Sequence, residues 1–197
     1  MRKLVIATLA MLALATATAL SQGLTRPDPT PRLPPQAGQG LPVEETQFII
    51  RAVNLSEAQI EAGRLASEKS STPAIKAFGQ RLVTEYEKQQ QTVARLAQSK
   101  GVAVREHPSK PQWQLELERL AERTGQEFDR AFMKWQLQMH LALVNLYQAE
   151  ASGSPETDMA KFAITTLVEI QRVFDQAKQL GAEQGVSIDT VKAPPQY

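Results

Sequence analysis

Between residues 44 and 185 the apolar positions of this chain recur close to every 3.6 residues, the period of a helix that buries one face. A first helix carries Phe48, Ala52, Leu55, Ala58, Ala62 and Leu65 on one stripe. Ser56-Glu57-Ala58-Gln59 fits a capping box inside it, which predicts a break or kink near Asn54. A second helix opens with Thr72 as N-cap and Pro73 at its first position, runs through Ile75, Phe78, Leu82, Tyr86, Val93 and Leu96, and stops at Gly101. A loop containing His107 follows, then a short helix over residues 112–121. Thr124-Gly125-Gln126-Glu127 reads as a capping box for a fourth helix with Phe128, Phe132, Trp135, Met139, Ala142, Leu146 and Ala149 inward. Gly153-Ser154-Pro155-Glu156 ends it and starts a fifth, whose inward residues are Met159, Phe162, Thr166, Ile170, Val173, Ala177 and Leu180. No strand-like alternation runs longer than a few residues. The pattern predicts an all-α antiparallel four-helix bundle with an extra short helix.

Helix four has a second apolar strip, Met133, Leu137, Val144 and Tyr147, displaced around its surface. A central helix covered by neighbours on both sides accounts for it; an exposed groove or dimer face is the other explanation. Gly63 and Gly79 each cost a helix about 1 kcal/mol, so they either mark a close approach of two helices or are simply tolerated.

The ends read differently. Arg2 and Lys3, the apolar run of residues 4–14 and Ala17-Thr18-Ala19 make residues 1–19 a signal peptide. Six of the twelve prolines fall between Pro27 and Pro42, so residues 20–43 read as a Pro-rich disordered linker. Residues 44–185 form the helical domain and 186–197 a flexible tail. A domain of 142 residues can bury roughly 70% of its unfolded surface and needs no staples. The expected location is periplasmic or secreted, with no membrane span once the leader is cleaved. The chain has no cysteine, which excludes disulfides, thiolate metal sites and a lipidated N-terminal cysteine. With 22 basic against 21 acidic residues and no basic run, nucleic acid is not an expected partner.

Candidate chemistry is sparse. There is no Gly-x-Ser-x-Gly turn and no phosphate-binding loop, and the chain has only two histidines, His107 and His140. A ferritin-type di-iron site needs Glu-x-x-His on two helices, and that motif does not occur here. His140 therefore reads as a neutral packed histidine with one hydrogen bond. No catalytic, cofactor or metal residue is assigned. If metal is bound, His140, Glu85 and Glu169 are the candidates. The function expected is that of a non-catalytic envelope protein acting by protein interaction or self-assembly. A divergent metal-binding protein and a chaperone-like protein are the alternatives.

Three blocks carry a family resemblance: "FIIRAVNLSEAQIEAGRLASEKSSTPAIKAFGQRLVTEYEKQQ", "FDRAFMKWQLQMHLALVNLYQAEASG" and "MAKFAITTLVEIQRVFDQAKQL". They resemble the secreted bacterial ferritin-like family known as domain of unknown function 4142, commonly labelled outer-membrane or periplasmic. The resemblance implies a ferritin-like four-helix bundle and no settled activity. The family's usual Asp-His pair in helix two reads Glu85-Tyr86 here, while its helix-four histidine is kept as His140. In the last helix its proline and histidine positions are Val168 and Val173.

Overall fold

The structure, a computed structural model, describes residues 41–103, 112–153 and 156–192. The expected signal peptide, most of the expected linker and His107 lie outside the described residues. The helices are α1 (Val43–Lys69), α2 (Pro73–Ser99), α3 (Gln112–Ala121), α4 (Gly125–Ala151) and α5 (Asp158–Glu183), followed by a 3-10 turn at Ile188–Thr190. The described residues contain no strand. None of their helices is long and apolar enough to cross a membrane.

Local chemistry explains most of the boundaries and corrects several expectations. α1 starts at Val43, inside the expected linker, and Leu41 already packs against the core. Glu44 and Glu45 in its first turn and Lys69 in its last complement the helix dipole. It runs unbroken past Asn54, because the Ser56 hydroxyl donates back to Ala52 O (2.8 Å) instead of capping a new helix. The capping box at Thr124 does not form either. Gly125 stands at φ 58°, away from helical geometry, and Thr124 makes no side-chain cap. α5 begins later than expected, where the Thr157 hydroxyl accepts from Ala160 N (3.1 Å).

Part of the expected tail packs on the helical domain, through Val191. Past the end of α5, Gly185 adopts φ 69° and Val186 N donates to Gly181 O (2.8 Å), a glycine-based helix stop that turns the chain back. Val186 and Val191 are buried in the core, and Ile188 packs against it.

Cross-helix pairs give the topology. α1 and α2 form an antiparallel hairpin, and so do α4 and α5. Thr72 meets Asp129, Phe78 meets Phe132 and Tyr86 meets His140, so α2 and α4 run in the same direction. Phe48 at the start of α1 packs on Tyr147 near the end of α4 (5.2 Å). Lys100, past the end of α2, pairs with Asp158 at the start of α5 (3.1 Å). The helices therefore run up, down, down, up, with a long connection containing α3 between α2 and α4. Lys69 Nζ donates to Ala121 O (2.6 Å), which ties the end of α3 to the end of α1.

α4 is covered on both sides. Met133, Leu137 and Tyr147 are buried along with Phe128, Phe132, Trp135 and Met139, so the second strip faces neighbours rather than solvent. Its seam ends earlier than expected, since Ala142 and Leu146 are half-buried and Ala149 is exposed. The two glycines do mark a close approach: a Cβ on Gly63 would lie 2.5 Å from Gly79 O, and one on Gly79 would lie 2.6 Å from Gly63 O.

Candidate functional site

His140 lies on the inward face of α4 with no exposed surface. Its Nδ1 is 2.9 Å from Gln136 O. A carbonyl only accepts, so Nδ1 carries the hydrogen and Nε2 is left to accept from the Tyr86 hydroxyl at 3.2 Å. The ring stacks on Phe174 at 5.7 Å with the planes 9° apart. Burial lowers its pKa to about 4, against the smaller opposing effect of the Gln136 carbonyl. The imidazole is thus neutral at physiological pH. It makes two hydrogen bonds where the sequence reading expected one.

Tyr86 and Tyr147 extend this polar layer. Burial raises both phenols above their ordinary range, and for Tyr86 the neighbouring Tyr147 adds to the rise. Gln89 Nε2 donates to the Tyr147 hydroxyl. The carboxamides of Gln59 and Gln136, both without exposed surface, find no hydrogen-bond partner among the described residues.

Asp129, which the sequence reading did not single out, is another fully buried polar group. It accepts from Ser70 Oγ (2.5 Å), Ser71 Oγ (2.8 Å) and Thr72 Oγ1 (2.7 Å). Three hydroxyls of the α1–α2 turn are thereby clamped to the N-terminal part of α4. This explains why Thr72 does not cap α2 with its side chain, as its position suggests.

The candidates Glu85 and Glu169 do come together. They line a cleft of about 190 Å³ between α2 and α5, with Tyr86, Gln89, Ile170 and Val173 also in its wall. His140 is not part of that wall, though it is hydrogen-bonded to Tyr86, which is. Glu169 is held by Arg172 at 2.6 Å. Among the described residues no three His, Asp or Glu side chains are grouped closely enough to hold a metal ion.

A second, larger concavity of about 690 Å³ lies between α3, α4 and the C-terminal segment. Trp135 lines it, with its indole N–H donated to Glu116 Oε2 at 2.9 Å. Nothing in the helical periodicity announces this groove, because it depends on how α3 and residues 185–190 meet α4.

Residues 30–180 match the family of the domain of unknown function DUF4142. The chain belongs to the DUF4142 family. The blocks that carried the resemblance lie inside the matched residues. No curated protein matches this family member in sequence. In three dimensions it is similar to a DUF305 fragment from Deinococcus radiodurans, with a TM-score of 0.65 and 13% identity over 74% of this chain and 99% of that one. It is also similar to a DUF305 protein from Streptomyces coelicolor described as a putative secreted protein, with a TM-score of 0.62 and 9% identity over 73% and 95% of the two chains. At these identities the likeness is one of fold.

Proposed function

We propose that this DUF4142 protein is a non-catalytic helical-bundle protein of the bacterial envelope, exported to the periplasm, that works by binding a protein partner or by self-assembly. One observation carries the reading. Among the described residues, the side chain best suited to acid–base or metal chemistry, His140, is sealed in the core with both ring nitrogens committed to Gln136 and Tyr86. Two surface concavities with polar and charged linings remain open to a partner. Export is supported by the leader-like residues 1–19 and by the description of one structural neighbour. We also read the fold as ferritin-like, since a single long crossover between two antiparallel hairpins is how such bundles are connected.

Site-specific photo-crosslinking in the native envelope tests the binding reading. A crosslinker at position 134 or 166, one in each concavity, gives a discrete protein adduct, whereas one at the exposed Lys76 does not. Equal background at all three positions overturns it.

One observation favours a second reading, a divergent metal-binding protein: Glu85 and Glu169 face one cleft. Stoichiometric iron, zinc or manganese in protein purified from its own compartment, lost on Glu85→Gln or Glu169→Gln, would replace the first reading with this one.

A further inference from the structure

The groove between α3, α4 and the C-terminal segment has an apolar floor and a basic rim. Trp135, Leu120 and Val186 line it and belong to the core. Arg119, Arg123, Arg130 and Lys134 line it too, and all four are exposed. Only two carboxylates, Glu116 and Glu127, stand among them. Both are already engaged, Glu116 with the Trp135 indole (2.9 Å) and Glu127 with Arg123 (3.2 Å). Among the described residues, Arg119, Arg130 and Lys134 make no ion pair. The chain as a whole carries a net charge of only +1, so this concentration of positive charge is local.

The shape narrows the ligand. The stretch of α4 along the groove runs from Glu127 to Gln138, about 16 Å at 1.5 Å per residue. An extended peptide of about five residues covers that length at roughly 3.3 Å per residue. Arg130 and Lys134 stand one helical turn apart, about 6 Å, close to the separation of alternate side chains on an extended strand. A compact anion would satisfy the cations at one end and leave the apolar floor uncovered.

We propose that this groove is a docking site for an extended acidic peptide segment of a partner protein. Its alternate carboxylates pair with Arg130 and Lys134, and an apolar side chain between them covers Trp135. The proposal deepens the partner-binding reading above and rests on it. It gives that partner a chemistry.

The test titrates the full chain with the synthetic peptide Glu-Phe-Glu-Phe-Glu and follows tryptophan fluorescence and calorimetric heat. Saturable binding is expected, weakening at least ten-fold between about 50 mM and 200 mM salt, as charge-driven association does. Arg130→Glu with Lys134→Glu weakens it at least ten-fold. Lys76→Glu with Arg95→Glu, the same change of net charge away from the groove, leaves it within two-fold. Circular dichroism checks that both variants are folded, and Arg119→Glu supplies a second groove variant should the double variant fail. Four results would overturn the proposal: equal binding of Lys-Phe-Lys-Phe-Lys, equal loss in both double variants, competition by inorganic phosphate as effective as the peptide, or binding of anionic phospholipid vesicles through Arg130 and Lys134 in place of the peptide. Discrete envelope adducts at position 134 without peptide binding would overturn this assignment alone and leave the partner-binding reading standing.

Discussion

A buried imidazole that cannot easily charge ties stability to acid. The folded His140 has a pKa of about 4, while in an unfolded chain the ordinary value is about 6.5. Between those values the unfolded state binds more protons, so stability is full above pH 6.5 and is lost as pH falls towards 4. The gap corresponds to about 3 kcal/mol. Urea unfolding at several pH values should show this loss in the native chain. In His140→Gln it should be smaller by about that amount, and an unchanged acid slope would show that the histidine is hydrated in solution. Asp129 makes the complementary case. Asp129→Ala leaves three hydroxyls of the α1–α2 turn without their acceptor and should cost about 3 kcal/mol, read as a lower urea midpoint with unchanged slope. His140 could be read from the sequence as a packed residue because no second donor stood at ligand spacing. Asp129 could not, since its partners are 57 to 59 residues away.

Helix pairing turns on two missing side chains. Alanine is the better helix former by about 1 kcal/mol, so propensity alone predicts that Gly63→Ala and Gly79→Ala stabilise α1 and α2. The structure predicts the opposite. Each new Cβ would meet the backbone oxygen of the other glycine at 2.6 Å or less, and backbone cannot rotate away as a side chain can. Each substitution should cost about 2 kcal/mol net, measured by urea unfolding. The double variant should cost less than the sum, because one separation of the helices accommodates both methyl groups. Both glycines were visible as anomalies in helical segments, yet only the pairing of α1 with α2 decides that they face each other. The capping patterns were less informative. Ser56 and Thr124 have the right residue types, but the first is buried in a continuous helix and the second precedes a left-handed glycine, whereas Thr157 caps α5.

On the scale of the whole molecule, the C-terminal segment belongs to the core. Truncation after Gly185 removes Val186 and Val191, which are 6% and 9% exposed. The loss of their burial should cost about 3 kcal/mol and lower Tm by roughly 10 °C in a thermal melt. A melt within a degree or two of the full chain would mean that these residues are loose in solution. The removed segment also supplies Val186 and Thr190 to the groove beside α4, so truncation should weaken binding of the acidic peptide as well.

Legible within the sequence were the local properties: the helical period, the approximate extents of five helices and the lack of metal-ligand spacing around His140. Each follows from residues within a few turns of one another, because a helix is built from contacts three and four residues apart. The tertiary structure alone decided what lies between helices. The long connection holding α3 lets α2 and α4 run parallel, and that direction brings Tyr86 to His140 and the Ser70–Thr72 turn to Asp129. The way α3 and the returning C-terminal segment flank α4 creates the basic groove. Such juxtapositions depend on the direction and register of segments tens of residues apart, and no periodicity within a single helix records them.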